Sequence, residues 1–408
     1  MDKKDTIYDD ESKYYEQQDI HFRTCISNFA NRLFNNKICV VDNSEFYRSD
    51  FNARLDEYLY EDEDFRNAHL SYETQTISNG ISNLHIYKQK DNQHRTNEVI
   101  IRSATNLSDF IKEIVNIESI PKHKCVYRGH GNWIYDMIPN IYRNGNEKIL
   151  VNESKYIKDI VASNPKFFVN CKTSLDILAV LQHFGFPTRL LDFTENPLIA
   201  LYMACSSDSS KHADIIRVDI NEESFKFFDS DTVSILSNVA LFDDSIDVSD
   251  FDYINYHSLF DVYEGYCYNK YGDCINNEER QKLIREFNER NDIKRLVHKI
   301  REEKPYFTGE IDPMHLENTI LLVKPKQEFE RLSLQSGLFA LFGINQRKQH
   351  IVDFEFQNLE FRITHIIVPS SSKKTILNEL EKINIHQGTI YGDMDNILKH
   401  HLNQYKFG

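Results

Sequence analysis

Residues 174–205 constrain the fold more than any other segment, because two helix-like runs flank a short strand-like run. Ser174 can cap the first helix, in which apolar residues recur at helical spacing. Asn196 can cap the second helix, which extends to Cys205 and has proline at its first position, where the missing N–H is harmless. A strand over 188–191 lies between the two helices. The segment therefore predicts helices packed beside a sheet.

Similar patterns recur along the rest of the chain. An Asn79-Gly80 pair predicts a β-hairpin between two apolar runs. Further strands are predicted over 99–101, 125–129, 215–220, 318–323, 331–343 (after a turn) and 363–368, and further helices over 108–117, 278–300 and 373–383. We therefore predict an α+β fold with a mixed sheet and flanking helices. Its core should include Leu178, Leu181, Leu190, Leu191, Leu198, Leu201 and Tyr202.

The distribution of charge divides the chain. The first 66 residues hold 16 acidic and 9 basic residues, so residues 1–70 are interpreted as a small, partly helical acidic N-terminal extension. Residues 71–408 are predicted to form one domain with a long helix near 278–302. An acidic insertion near 229–262 interrupts this domain; it is predicted to be exposed and rich in loops, since residues 229–261 contain eight Asp and no Lys or Arg.

Composition and spacing argue against several classes of function. The net charge of −15 disfavours broad binding to nucleic acid, because an acidic surface repels phosphate. Seven scattered cysteines without CxxC spacing predict reduced thiols and no metal site. The N-terminus lacks an apolar signal core, and no run approaches the roughly 18 apolar residues of a membrane span. The sequence predicts a soluble, cytoplasmic protein that does not bind membranes.

The first candidate for chemistry is the strand-like segment 126–130, Val-Tyr-Arg-Gly-His. Arg128 ends an apolar strand, where a guanidinium is costly to bury without an anionic partner. Its planar fork suits two-pronged contact with phosphate or carboxylate. Gly129 would let the backbone approach a ligand closely. The alternative is a structural salt bridge at the end of the strand.

The second candidate is the segment 182–197, in which polar residues alternate with apolar ones. A helix that ends at Gly185, a short strand and a helix that opens at Asn196 can bring polar groups and a helix N-terminus together, which favours an anion site. The alternative is a buried polar network in which Arg189 pairs with Asp192 and His183 caps a helix.

These two segments resemble the FRG domain family, which is named after a (Phe/Tyr)-Arg-Gly motif. The matching residues are Tyr127-Arg128-Gly129, Trp133, Ile138 to Arg143, Leu178 to Thr194 and the helix from Asn196 to Cys205. Arg331 to Phe339 resembles the third motif of the family. The resemblance spans residues 100–400. FRG domains are similar in outline to ADP-ribosyltransferases, so the resemblance implies an ADP-ribosyltransferase-like core with NAD as the cofactor.

The resemblance implies roles for individual residues. Arg128 would hold the pyrophosphate or a ribose, and Thr188 would take the place of the Ser/Thr strand motif of the transferases. The implied catalytic set is Arg128, His183, Thr188, Asp192 and Glu195. The implied ligand-binding set is Tyr127, Gly129, Arg189, Asn196, Arg331 and Gln335. We expect Arg128, Thr188 and Asp192 to face one cleft, joined by Arg331 and Gln335.

The implied function is ADP-ribosyl transfer or NAD cleavage, by an effector of bacterial toxin or anti-phage defence systems that acts on a protein or nucleic-acid target. The transferases stabilise the cation that develops on ribose with a carboxylate. Residues 331–337 contain neither Glu-x-Glu nor Gln-x-Glu. The alternative is therefore a sensor module that binds a nucleotide or a protein without catalysis.

Overall fold

The computed structural model describes residues 70–76, 82–90, 94–117, 119–133, 135, 137–222, 225–243, 246–248, 267–268, 274–275, 277–316, 319–326, 330–344, 361–392 and 394–407. The chain forms two compact units. Unit 1 contains the described residues of 1–135, 194–220 and 360–408, and unit 2 contains those of 136–193 and 221–359. The predicted N-terminal extension lies outside the described residues up to residue 69. Each unit combines separate stretches of the chain, and the single domain predicted over 71–408 stays a prediction.

Twelve strands and twelve α-helices are defined within the described residues. The strands are β1 (Leu70–Thr76), β2 (Ser82–Lys90), β3 (His94–Ser103), β4 (His123–His130), β5 (Leu190–Thr194), β6 (Ala213–Asn221), β7 (Phe225–Phe227), β8 (Cys267–Tyr268), β9 (Cys274–Ile275), β10 (Ile320–Lys324), β11 (Gly337–Phe342) and β12 (Phe361–Val368). The helices are α1 (Leu107–Asn116), α2 (Glu147–Val151), α3 (Glu153–Ser163), α4 (Ser174–His183), α5 (Pro197–Cys205), α6 (Asp231–Leu241), α7 (Asn277–Glu289), α8 (Asn291–Glu303), α9 (Glu330–Leu334), α10 (Ser370–Lys382), α11 (Gln387–Tyr391) and α12 (Met394–Phe407).

The sheet of unit 1 has the strand order β1-β2-β3-β12-β6-β4. Strand β12 runs parallel to β3 and antiparallel to β6, so the C-terminal part of the chain completes the middle of this sheet. Strands β1 and β2 pair antiparallel with Thr76 opposite Ser82, which confirms the predicted hairpin, although its turn lies outside the described residues. Residues of α1, α5 and α10 pack on one face of this sheet and form an apolar core.

Unit 2 has the strand order β5-β11-β10-β7. Strand β10 is antiparallel to β11 and parallel to β7. Apolar side chains of α3, α4, α6, α7 and α8 form the core of this unit together with those of β5, β10 and β11. The α+β fold class, with a mixed sheet and flanking helices, is confirmed.

The two helices that flank β5 begin close to where the sequence predicts. The cap of α4 is Thr173 rather than Ser174: its hydroxyl accepts from the amide of Asp176, whose carboxylate accepts from the amide of Thr173. In α5 the cap is Asn196, whose side chain accepts from the amide of Leu198 at 3.0 Å. Both helices therefore begin with a side chain that satisfies an otherwise unbonded N–H.

Five of the seven predicted core residues are buried, namely Leu178, Leu181, Leu190, Leu191 and Leu201. Leu198 and Tyr202 are partly buried and pack against the apolar core of unit 1.

Two predicted elements are wrong in form. The long helix near 278–302 is interrupted at Arg290, which has an extended backbone (ψ 141°) and whose side chain binds the carboxylate of Asp292 in the first turn of α8. Phe287 and Ile293, on either side of the break, are both buried, so the apolar pattern continues through the interruption and hides it.

The exposed insertion predicted near 229–262 is wrong over residues 231–241. These residues form α6, in which Val233 to Leu241 are all buried. The acidic residues lie at the ends of the helix, while 232–241 contain no charge. The count of aspartates therefore concealed a buried apolar helix. Residues 249–262 lie outside the described part of the chain.

Candidate functional site

Strand β4 carries the Tyr-Arg-Gly segment, and its residues alternate between the two faces of the sheet. Tyr127 lies in the apolar core of unit 1 with Leu201 and Ile366 and is 5% exposed. Burial raises the pKa of its phenol to about 12. Tyr127 therefore packs against the core rather than toward solvent, and Arg128 projects from the opposite face.

Gly129 is required by packing. A Cβ at this position would lie 2.1 Å from the carbonyl oxygen of Ala200 and 2.8 Å from the amide nitrogen of Ala204. Both atoms belong to α5, so the glycine lets this helix approach the end of β4. The sequence analysis assigned Gly129 to ligand approach, whereas the contact with α5 alone accounts for the residue.

The guanidinium of Arg128 is partly buried and is oriented by a neighbour on the same strand. Its Nε donates to Nε2 of His130 at 2.8 Å. This bond requires Nε2 of His130 to be unprotonated. His130 is itself buried, and its ring contacts that of Tyr135 edge to face at a centroid distance of 6.2 Å. Arg128 is thus held by a buried neutral base.

Contacts between β4 and β6 establish which side chains share a face. Cys125 Sγ donates to Asp219 Oδ1 at 2.7 Å, and the amide of Trp133 donates to the carbonyl of His212 at 3.0 Å. Because the residue number rises along β4 while it falls along β6, the strands are antiparallel. Arg128 therefore lies near Ile216, and His130 near Asp214.

The Cys125–Asp219 contact lies on the Tyr127 face. Arg217 Nη2 donates to Cys125 Sγ at 3.0 Å and to Asp219 Oδ1 at 2.6 Å. Burial, together with Asp219, raises the pKa of the Cys125 thiol to about 11. This cluster therefore disfavours the thiolate form of Cys125 and links β4 to β6.

A His–Asp pair lies on the opposite face. His365 Nδ1 is 2.7 Å from Asp214 Oδ2, and in the sheet His365 is paired with Ile216. Asp214 is buried, whereas the side chain of His365 is 25% exposed. Burial alone would lower the pKa of His365, but the charge of Asp214 and its hydrogen bond raise it overall. By strand alternation, Arg128, His130, Asp214 and His365 share one face of β4, β6 and β12; we call them the unit 1 polar face.

Arg189 forms an ion pair inside unit 2. Its Nε donates to both carboxylate oxygens of Glu153, and its Nη1 donates to the hydroxyl of Tyr142 at 2.7 Å and the carbonyl of Gly343 at 2.9 Å. The partner is Glu153. The buried polar network considered in the sequence analysis paired Arg189 with Asp192 instead. We therefore leave Arg189 out of the proposed binding residues.

Gln182 joins two of the predicted catalytic residues in unit 2. Thr188 Oγ1 donates to Gln182 Oε1 at 2.6 Å, and Gln182 Nε2 donates to Asp192 Oδ2 at 3.1 Å. Thr188 is fully buried, and Asp192 is exposed. His183 is the last residue of α4, and its ring lies 5.0 Å from that of exposed Phe184. In this cluster the Thr188 hydroxyl is buried, and the Asp192 side chain is exposed.

The remaining predicted site residues are dispersed. Glu195 is exposed and Asn196 caps α5 in unit 1. In unit 2, Gln335 follows α9 and is buried. Arg331 lies in α9, and the structure describes its backbone only. Arg128 belongs to unit 1, and Thr188 and Asp192 to unit 2. Their placement at one cleft stays a prediction.

The sequence analysis did not select Asp214 or His365, although the sequence contains a signal for both. Each is a polar residue that interrupts an apolar strand, Asp214 before Ile215-Ile216 and His365 before Ile366-Ile367. Their proximity could not be predicted, because 150 residues separate them and β12 enters the sheet from the C-terminal part of the chain. Within the part of the chain that the structure describes, no group of three or more His, Cys, Asp or Glu side chains could hold a metal. In the same part, no helix has both the length and the apolar character to cross a membrane.

Comparison with known families gives one match. The sequence model of the FRG domain matches residues 123–213, which begin with β4 and end at the first residue of β6. The matched segment includes Arg128 and the block from Gln182 to Asn196, but neither Arg331 to Phe339 nor His365. No curated protein and no solved structure matches the chain significantly. Residues 123–213 of this chain therefore contain an FRG domain.

Proposed function

We propose that this FRG-domain protein binds a nucleotide, with NAD as the first candidate, at the unit 1 polar face and cleaves NAD or transfers its ADP-ribosyl group. The observation that carries the proposal is Arg128, a partly buried guanidinium oriented by a neutral histidine at 2.8 Å. A guanidinium fixed in this way is well suited to a diphosphate, since it can donate to two oxygens at once.

The charges of the unit 1 polar face support an anionic ligand. Asp214 is paired with His365, and the Nε of Arg128 donates to Nε2 of His130. Arginine remains charged at any physiological pH. The likeness of the FRG motif to the strand by which ADP-ribosyltransferases hold their dinucleotide supports NAD among such anions. In the proposed setting the protein is a bacterial toxin or anti-phage effector that modifies a macromolecular target.

A second candidate function, a non-catalytic nucleotide- or protein-binding sensor, is favoured by a different observation. Thr188 is fully buried and donates to Gln182, so the hydroxyl proposed as a counterpart of the transferase Ser/Thr motif is already satisfied. The missing Glu-x-Glu sequence favours the same candidate. The two functions differ in one measurable product, free nicotinamide.

The test measures binding and cleavage separately. Purified protein is titrated with NAD by calorimetry and then incubated with NAD, with and without cell extract, while free nicotinamide is measured by chromatography. Arg128→Ala is expected to lower NAD affinity at least about 10-fold, which corresponds to the loss of one charge-assisted hydrogen bond. Arg128→Lys should also bind weakly, since a point charge cannot replace the fork.

Arg143→Ala is the matched control, because Arg143 is exposed and lies outside the proposed site. It should bind NAD like the parent. Nicotinamide release by the parent supports the enzyme, and binding without release supports the sensor. Failure of the parent to bind NAD would overturn the proposal for this ligand.

A further inference from the structure

We propose that His365, oriented by Asp214, is the general base of the unit 1 polar face and takes the proton of the group that attacks ribose. This proposal rests on the proposed function, since it assigns a role within the same site. It extends the site beyond the residues 123–213 that match the FRG domain to a strand 150 residues further along the chain.

The geometry of the pair is that of an oriented base. Nδ1 of His365 is engaged by Asp214 Oδ2 at 2.7 Å, so the carboxylate fixes the ring and favours the tautomer in which Nε2 carries the lone pair. Within the described residues the structure gives Nε2 no hydrogen-bond partner. The His365 side chain is 25% exposed, whereas the carboxylate that orients its ring is buried.

The second oxygen of Asp214 distinguishes this pair from an ordinary strand-to-strand link. Oδ1 is buried and, among the described residues, has no hydrogen-bond partner. A buried carboxylate oxygen without a donor is costly, and a catalytic role is one of the explanations for keeping such a group.

The position of the pair relative to Arg128 fits one ligand. Strands β4 and β12 are separated only by β6, so their axes lie about 10 Å apart. Arg128 and His365 both lie at the level of Ile216. The separation of Arg128 and His365 on this face is of the order of that between the diphosphate and the second ribose of a dinucleotide, which is why we assign both residues to one ligand.

The proposed step transfers ADP-ribose from nicotinamide to an acceptor hydroxyl. The oxygen of an acceptor hydroxyl, from water or from a macromolecule, forms a bond to C1′ of the nicotinamide ribose. The bond between C1′ and the nicotinamide nitrogen breaks, and its electron pair leaves with neutral nicotinamide. The acceptor proton moves to Nε2 of His365. Transfer to water yields ADP-ribose, and transfer to a macromolecular hydroxyl yields the ADP-ribosylated target.

The decisive variant is His365→Asn, because an asparagine amide can donate to Asp214 from the position of Nδ1 but has no atom at Nε2. At about pH 8, where an ordinary histidine is neutral, the variant should keep the parent's NAD affinity and melting temperature. Its nicotinamide release should fall at least about 100-fold, the lower bound usually contributed by a general base. His298→Asn is the matched control, since His298 is exposed in α8, and it should release nicotinamide at the parent's rate.

The outcomes separate this proposal from the one on which it rests. An Asn variant that binds NAD and releases nicotinamide at the parent's rate would overturn the role of His365 and leave NAD cleavage intact. A parent that binds NAD but releases no nicotinamide under any condition would also overturn the base while leaving the binding site. A parent that does not bind NAD overturns both proposals at the first measurement.

Discussion

Arg189 donates from Nε to both carboxylate oxygens of Glu153, at 3.0 and 2.9 Å, and neither side chain is exposed to solvent. Arg189 precedes β5 and Glu153 opens α3, so the pair connects a strand and a helix within the core of unit 2. The cost of burying two charges is offset here by mutual attraction and by the further bonds of the guanidinium to Tyr142 and Gly343. Arg189 is thus a structural residue of unit 2.

We expect Glu153→Ala to lower the free energy of unfolding by about 3–5 kcal/mol, since it leaves the Arg189 guanidinium buried without a counter-charge. Urea unfolding measures the change. The matched control is Asp243→Ala, which removes the exposed ion pair with Lys158 and should cost less than about 1 kcal/mol. Similar losses in the two variants would show that burial of the pair has no special consequence.

Gly129→Ala should destabilise unit 1, because the new Cβ would lie 2.1 Å from a backbone oxygen of α5. A backbone oxygen cannot swing away as a flexible side chain does, so β4 and α5 must separate, at a cost of about 1–3 kcal/mol or more. Gly309→Ala is the control, since its Cβ would meet only the ring of Phe307 at 3.6 Å. Thermal unfolding compares the two variants, and equal melting temperatures would contradict the packing role.

Lys373→Ala is expected to cost more than about 2 kcal/mol, because the buried ammonium donates to three backbone carbonyls, those of Gly131, Ser207 and Asp208, which would lose their partner. These carbonyls follow β4 and α5, so Lys373 joins two loops of unit 1 to α10. The neighbouring Lys374 is exposed, and Lys374→Ala should change stability by less than about 0.5 kcal/mol. Urea unfolding measures both variants. A small loss of unfolding free energy in the Lys373 variant would show that the two loops keep their structure without the ammonium.

Leu201→Ala should cost about 2–5 kcal/mol, the usual range for a buried leucine. Leu201 has no exposed surface and lies in the unit 1 core. Val115→Ala is the control. Val115 is 75% exposed, so its substitution should leave the free energy of unfolding almost unchanged. If the melting temperature of the Leu201 variant matched that of the parent, α5 would not contribute to the core.

The sequence predicted those parts of the fold that depend on local signals. Asn196-Pro197 indicated a helix start because capping and proline geometry act within one turn. The break at Arg290 escaped prediction, because one apolar stripe crosses both helices and a single extended residue leaves no trace in the periodicity. The division into two units also escaped, since two of its boundaries fall inside β5 and β6 rather than in linkers rich in Gly or Pro.

The candidate site was predictable only in part for the same reason. Arg128 stood out as a charge at the end of an apolar strand. His365 and Asp214 stood out equally, but only the sheet pairing of β12 with β6 brings them together, and a register between segments 150 residues apart cannot be read from either one. The pairing of Arg189 with Glu153 is another long-range contact of this kind, so a local pairing with Asp192 was the available alternative.

The stability that the His365–Asp214 pair contributes should depend on pH. The carboxylate of Asp214 raises the pKa of His365 above its ordinary value of 6.5, despite the opposing effect of burial. The folded protein therefore holds the proton more tightly than the unfolded chain does. This contribution is fully present below about pH 6.5 and is lost as the pH rises through the folded pKa. Arg128 and His130 share this face of the sheet.

Urea unfolding of the parent and of His365→Asn across this range isolates the effect, because the other histidines titrate in both proteins and cancel in the difference. The parent should be the more stable protein at about pH 5.5, and its advantage should shrink as the pH rises through the folded pKa of His365, where the imidazolium loses its proton and only a neutral hydrogen bond remains. An advantage that grew with rising pH would mean that folding disfavours the imidazolium, which is opposite to the effect of a charged Asp214 at 2.7 Å. A difference independent of pH would mean that folding leaves the pKa of His365 unchanged.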